Sequence, residues 1–187
     1  MAMNASFANH LLIAMPSMTD PNFRQTVIYV CEHNEQGAVG LIINRPMEYP
    51  LSMVFEQLNI ESTQEESKAM PLLFGGPVQP ERGFVIHRPF GGWRSSLAVA
   101  DDVTVTTSND IIRAIAANNG PEDVLVTLGY AGWGEGQLEQ EVRDNAWLVC
   151  PYSPDLLYKV PFEERWAFAA RSIGVQMDRL SSGGGNA

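Results

Sequence analysis

Cys31 and His33 form the first pair of side chains in this sequence that could do chemistry. A thiolate acts as a nucleophile when a histidine within hydrogen-bond reach takes its proton. The two residues are two positions apart at the end of an apolar run, so on a regular strand their side chains share a face. Neighbours on one face lie ~6.5 Å apart at a rise of ~3.3 Å per residue, which is too far for direct proton transfer. The spacing therefore favours a structural cysteine beside a strand-end histidine.

A glycine-rich stretch, LGYAGWGEGQLEQE at 128–141, follows an apolar run and precedes a helical pattern. Backbone N–H groups in that context can bind a phosphate. The glycines do not match the G-x-G-x-x-G spacing, however, and three glutamates put negative charge where a phosphate would bind. We interpret the stretch as a turn that lets Trp133 fold back onto the core. If this loop binds a ligand, Trp133 and Gln137 are the expected contacts.

Arg82, His87, Arg88 and Arg94 lie within thirteen residues, flanked by proline and glycine. This group could bind an anionic partner, and nucleic-acid binding through the segment 82–94 is one alternative. In a chain with 22 acidic residues, arginines more often pair with nearby carboxylates, and we expect a strand-end histidine to bind the backbone. The net charge of −10 disfavours direct DNA binding, because duplex-binding proteins present a basic face to the phosphates.

The composition predicts an ordinary globular protein. The 187 residues are 45% hydrophobic and 18% charged, which is enough for one domain with its own core. Two cysteines and three histidines, widely spaced, do not predict a disulfide or a metal site. A secretory signal requires a basic start, but no Lys or Arg precedes Arg24, and no window reaches the ~18 apolar residues of a membrane span. We expect a cytoplasmic protein with no membrane segment and no cofactor.

Periodic patterns predict the elements that position these side chains. Strands over 26–31 and 38–43 form a hairpin, and Ser108 caps a helix over 109–118. A short amphipathic helix is predicted over 50–58, whereas 59–70 and 87–96 are predicted to be loops. Hairpins followed by interleaved helices and strands predict an α+β fold with mixed pairing. We expect one domain over residues 1–178 and a flexible C-terminal tail over residues 179–187.

Four blocks of the sequence resemble, in order, the signature blocks of the AlgH/YqgE family. They are HLLIAMPSMTDPNFRQTVIYVCEHNEQGAVGLIINRP, FGGPVQPERGFVIHRP, DDVTVTTSNDII and LGYAGWGEGQLEQEVRDNAWL. The resemblance implies a single α+β domain whose bifurcated, coiled β-sheet forms a pseudo-barrel with flanking helices. It also implies a cytosolic bacterial protein of an uncharacterised family, whose members often carry the label of transcriptional regulator. It implies no established active site.

These observations favour a non-enzymatic regulatory or binding protein that acts through a protein partner or a small ligand, with any effect on transcription indirect. No complete catalytic motif is present in the sequence. The alternatives are a cysteine-dependent enzyme or redox-responsive protein that uses Cys31 with His33 or His87, and nucleic-acid binding through the arginine segment. The candidate ligand or partner contacts are Cys31, His33, Asn34, Arg82, His87, Arg88, Trp133 and Gln137.

Overall fold

Strands and helices alternate along residues 6–183, the part of the chain that the computed structural model describes. The strands are β1 (His10–Ala14), β2 (Val27–Asn34), β3 (Gly37–Ile42), β4 (Pro46–Pro50), β5 (Pro71–Phe74), β6 (Val78–Arg88), β7 (Ser96–Ala100), β8 (Val103–Thr106), β9 (Asp123–Trp133) and β10 (Trp147–Pro151). The α-helices are α1 (Ser52–Gln57), α2 (Glu65–Ala69), α3 (Asn109–Ala116), α4 (Gln137–Arg143), α5 (Pro154–Tyr158), α6 (Arg165–Ser172) and α7 (Met177–Gly183).

These strands form one sheet in the order β10-β1-β2-β3-β9-β6-β8-β7, with β4 and β5 on a branch. All pairs are antiparallel except β5 with β9. The sheet divides at β9, because one edge of β9 pairs with β6 while the other pairs with β5 at 126–128 and with β3 at 131–133. The sheet curls strongly into a half-barrel with flanking helices, so the predicted bifurcated α+β fold is confirmed.

Gly129 lies at the point where β5 and β3 diverge along the edge of β9. Its φ is +78°, and a Cβ at this position would lie 2.2 Å from the carbonyl oxygen of Gly76. Any larger residue would therefore meet both backbone strain and a backbone clash. The division of the sheet thus depends on glycine at this position.

Helices cover three parts of the sheet, and each part has its own apolar cluster. The main cluster, which includes Leu11 and Ile86, lies beneath α5 and α6. A second cluster, around Trp147, packs against α4. A third cluster, with Phe55 of α1 and Ile111 of α3, packs those two helices against β6 and β9. The candidate residues are distributed among these three regions.

Two side chains of α6 donate hydrogen bonds to backbone carbonyl oxygens that are distant in sequence. Arg165 is 2% exposed; its Nε donates to the Val160 carbonyl oxygen at 2.8 Å, and Nη1 donates to that of Ile43 at 2.6 Å. The Trp166 indole N–H donates to the Ala14 carbonyl oxygen at 2.8 Å. These bonds satisfy carbonyl groups at the ends of β1 and β3, where ladder partners stop.

The elements differ from the sequence prediction in three places. The predicted loop 59–70 contains the short helix α2, whose first turn carries two glutamates. The predicted helix 50–58 starts at Ser52, because the chain before it pairs with β5 as the strand β4. The predicted loop 87–96 overlaps the end of β6 at His87 and Arg88, and its last residue, Ser96, begins the edge strand β7. Of the predicted flexible tail, residues 179–183 belong to α7 and residues 184–187 lie outside the described residues.

Candidate functional site

A β-bulge at Cys31 separates its side chain from that of His33. The β2–β3 register runs from the pair Val30–Gly40 directly to the pair Glu32–Val39, so Cys31 is the extra residue. A bulge reverses the alternation of the residues that follow it. Cys31 therefore packs in the main cluster beneath α5 and α6, while His33 lies on the α4 side. The two side chains do not share a face, contrary to the expectation for a regular strand.

The environment of Cys31 opposes a reactive thiolate. The residue is 6% exposed, and its thiol donates to the carbonyl oxygen of Val39 at 3.4 Å. Burial, and then the neighbouring Glu32 carboxylate, raise the pKa of the Cys31 thiol to about 12. A thiol of this kind is protonated at neutral pH, which is the state of a packing residue.

His33 joins the N-terminal segment to α4. The Phe7 backbone N–H donates to His33 Nδ1 at 2.8 Å, and the two rings stack with centroids 5.3 Å apart. Since Nδ1 accepts, the proton of the neutral ring is on Nε2. Nε2 lies 3.1 Å from Glu139 Oε1 in a close contact whose angles are not those of an aligned hydrogen bond. Burial by itself would raise the pKa of the Glu139 carboxyl, but backbone hydrogen bonding, the His33 contact and the nearby Arg143 charge together hold that pKa below its ordinary value.

Trp133 and Gln137 take part in the docking of α4 rather than in an open loop. The Trp133 and Trp147 indole N–H groups both donate to Glu141 Oε1, at 3.0 and 2.9 Å. Gln137 accepts from the Gly134 backbone N–H and donates to Glu141 Oε2, each at 2.9 Å. Trp133 is 7% exposed and packs in the second cluster. The glycine-rich stretch therefore does return Trp133 to the core.

Asn34 lies at the exposed tip of the β2–β3 hairpin, where its Oδ1 accepts from the Gln36 backbone N–H at 2.8 Å. Asn34 and Trp133 line one shallow depression of about 210 Å³. The structure thus brings His33, Asn34, Trp133 and Gln137 to the same end of the molecule. It does not bring Cys31 or His87 there.

His87 is fully buried and both of its ring nitrogens are occupied. Nδ1 lies 2.9 Å from the Pro89 carbonyl oxygen, and Nε2 lies 2.7 Å from Thr106 Oγ1. A carbonyl oxygen only accepts, so Nδ1 carries the proton and Nε2 accepts from the Thr106 hydroxyl. Burial lowers the pKa of His87, which favours the same neutral form. This is a structural histidine bound in part to the backbone, as a strand-end position suggests.

The arginines of segment 82–94 do not form one cluster. Arg82 lies over the Phe84 ring, with 5.2 Å between its guanidinium carbon and the ring centroid. Arg88 Nε donates to Asp123 Oδ2 at 2.6 Å, as expected for an arginine among many carboxylates. Arg94 instead lines a cavity with Arg113 of α3. The three arginine side chains therefore have different surroundings.

A half-open cavity of about 240 Å³ lies between α1, α3 and the sheet, at positions that the sequence patterns did not single out. Its apolar lining includes Met53, Val54, Leu58, Val85, Ile112 and Val126. The polar residues of the lining are Gln57, Glu81, Thr106, Thr107, Ser108 and Asn109. Each apolar residue belongs to a periodic pattern that by itself indicates core packing. The cavity exists because the spacing of α1 and α3 leaves a gap between these side chains.

Two further classes of site find no support in the described part of the chain. No group of three or more His, Cys, Asp or Glu side chains within residues 6–183 could hold a metal ion. No helix within the same range is long and apolar enough to cross a membrane.

Comparison with known families agrees with the curled, divided sheet. Residues 11–178 match the family described as DUF179, AlgH-like. The chain belongs to the AlgH-like family. A UPF0301 protein of Legionella pneumophila (strain Corby) is 66% identical over 187 residues and is covered completely, as is this chain. A UPF0301 protein of Thioalkalivibrio sulfidiphilus is 51% identical over the same length, again with full coverage of both chains.

Two solved structures share the AlgH-like fold. The solution structure of the AlgH protein from Pseudomonas aeruginosa superposes with a TM-score of 0.81 at 46% identity, covering 97% of this chain and 96% of the other. The crystal structure of protein DIP2367 from Corynebacterium diphtheriae gives a TM-score of 0.73, with coverage of 97% and 94%. At 20% identity, the second likeness concerns the fold alone.

Proposed function

We propose that this AlgH-like protein is a non-enzymatic binding protein whose small, partly apolar ligand occupies the cavity between α1, α3 and the sheet. The observation that carries the proposal is the cavity itself, whose lining combines apolar and polar side chains. Ligand sites in proteins commonly combine an apolar lining with a few polar groups that orient the ligand.

The size of the cavity limits the ligand. An engineered apolar cavity of about 150 Å³ binds benzene, so about 240 Å³ can hold a somewhat larger apolar group. Drug-sized ligands usually occupy roughly 300–1,000 Å³, so the cavity suits a short chain or a single ring system. The cavity is partly open, which allows a polar end of the ligand to extend past the rim.

The side chains around the cavity favour binding over catalysis. Thr106 is the lining residue next to a histidine, but it is fully buried and its hydroxyl is bound to His87 Nε2. Cys31 packs in a different cluster, with its thiol protonated. A regulatory role in the cytoplasm would then depend on occupancy of the cavity, and any effect on transcription would be indirect.

The proposal can be tested by placing a larger side chain in the cavity. Gly83 lines the cavity, and a Cβ there would approach only Leu128 Cδ2, at 3.9 Å, so Gly83→Leu introduces an apolar side chain without a clash at Cβ. Gly134→Leu is the matched control, because Gly134 lies near α4 and its Cβ would approach nothing closer than 3.9 Å.

The probe is 1-octanol, and binding is measured by isothermal titration calorimetry. We expect saturable binding to the wild type and to Gly134→Leu, and at least tenfold weaker binding to Gly83→Leu. Absence of 1-octanol binding to the wild type, or equal affinity in all three proteins, would refute the proposal.

A further inference from the structure

A second cavity, of about 390 Å³, adjoins the proposed ligand site. Its lining is Arg94, Ser108, Asn109, Asp110 and Arg113. Ser108 and Asn109 also line the first cavity, so the two spaces lie side by side at the start of α3. A ligand with its apolar part in the first cavity can therefore reach the second past these two residues.

The Asp110 carboxylate in the second cavity already accepts hydrogen bonds from neighbouring groups. Asp110 Oδ1 accepts from the Ser108 hydroxyl and from the Ile111 backbone N–H, and Oδ2 accepts from the Arg94 backbone N–H at 2.8 Å. Although partial burial opposes it, these hydrogen bonds and the charge of the nearby Arg94 hold the pKa of the Asp110 carboxyl below its ordinary value, and neither guanidinium bonds directly to the carboxylate.

The two guanidinium groups, by contrast, lack partners. Within the described chain, neither the Arg94 nor the Arg113 side chain takes part in an ion pair or a hydrogen bond, and the same holds for the Asn109 side-chain amide. Arg94 and Arg113 thus place two exposed positive charges beside one hydrogen-bonded carboxylate. Such a site attracts a negatively charged group.

We infer that the ligand is an amphipathic organic anion whose apolar part occupies the first cavity and whose anionic group binds Arg94 and Arg113. This inference rests on the proposed function, since it assigns the chemical class of the ligand for the same site. The orientation follows from the charges, because Glu81 is in the first cavity and repels an anionic group there. Asn109, which lines both cavities, can donate from its amide to the same anionic group.

The test compares octanoate with 1-octanol, two probes that share a chain length and differ in charge. Titration calorimetry at low ionic strength should show octanoate binding to the wild type at least fivefold more tightly than 1-octanol. Arg113→Gln should weaken octanoate about fivefold, as the loss of one exposed charge contact predicts, and leave 1-octanol unchanged. The double variant Arg94→Gln/Arg113→Gln should remove the preference for octanoate. Raising the salt concentration should lower the octanoate affinity alone.

Arg82→Gln is the matched control, because Arg82 is also an exposed arginine but lies over Phe84 rather than in a cavity. Its effect on octanoate affinity should stay within twofold. Equal affinities for octanoate and 1-octanol in the wild type would overturn the inference while the proposed binding function stands. An equal loss in Arg82→Gln and Arg113→Gln would also overturn it, because net charge would then explain the preference. If neither probe binds, the proposed function itself fails.

Discussion

Glu141 should contribute more to the stability of this protein than a surface glutamate does. One of its oxygens, Oε1, accepts the indole N–H groups of both Trp133 and Trp147, which are 7% and 3% exposed. Glu141→Leu leaves two nearly buried donors without an acceptor. Each unsatisfied buried group costs roughly 1–3 kcal/mol, so the free energy of unfolding should fall by about 3 kcal/mol. Glu141→Gln keeps an oxygen acceptor and loses only the charge, so it should cost about 1 kcal/mol.

Urea-induced unfolding at pH 7, followed by tryptophan fluorescence, measures these free energies. Glu135→Leu is the control, since Glu135 is an exposed residue just before α4, and its effect should stay within about 0.5 kcal/mol. The reasoning is refuted if Glu141→Leu also changes stability by less than 0.5 kcal/mol. It is refuted too if Glu141→Gln costs as much as Glu141→Leu, because the acceptor oxygen would then be irrelevant.

Three further predictions follow from buried groups. With a thiol pKa of about 12, Cys31 should react with iodoacetamide at pH 8 at least ~100-fold more slowly in the native protein than in urea, as mass spectrometry can measure; equal rates would contradict its burial. Because the folded-state pKa of His87 is below its unfolded value of about 6.5, the stability it confers is present above that pH and is lost as the pH falls below it. As the pH falls from 7.5 through 6.5 to 5.5, the urea midpoint should therefore decline less steeply in His87→Gln than in the wild type. An equal decline in both proteins would show that His87 is not a source of the pH dependence. Arg165→Met should lower the free energy of unfolding by about 3 kcal/mol because two buried carbonyl oxygens lose charged donors, and a loss below 1 kcal/mol in the same assay would disprove that role.

The sequence predicted the elements whose patterns are local. The continuous apolar runs of β2 and β3, the Ser108 cap position and the three inward isoleucines of α3 needed no tertiary information. The curl and division of the sheet came instead from the family resemblance, because they depend on the close approach of Gly129 and Gly76, which are 53 positions apart. Local periodicity carries no signal for such a contact.

The candidate site was predicted less well, and strand geometry explains why. A single extra residue at Cys31 moved His33 to the other face, and no residue type marks a bulge of this kind in the sequence. Arg82 and Arg88 are separated by the length of β6 between them, about 20 Å at ~3.3 Å per residue, and the turn after β6 carries Arg94 away from both, although the three are close in sequence. Arg94 meets Arg113 only because α3 follows the β7–β8 hairpin back to the same corner. The cavity could not be predicted, since it is the space left between side chains that each resemble core residues.

An isotope-filtered NOE spectrum of the labelled protein with unlabelled 1-octanol tests the central claim most directly, because it locates the apolar chain of the probe. Cross-peaks from the chain protons to methyl groups of Val54, Leu58, Ile112 and Val126 are predicted, since these side chains line the cavity. Cross-peaks confined to exposed apolar residues such as Leu97 and Phe90, with none to the cavity methyl groups, would contradict the claim that this family member binds its ligand between α1, α3 and the sheet.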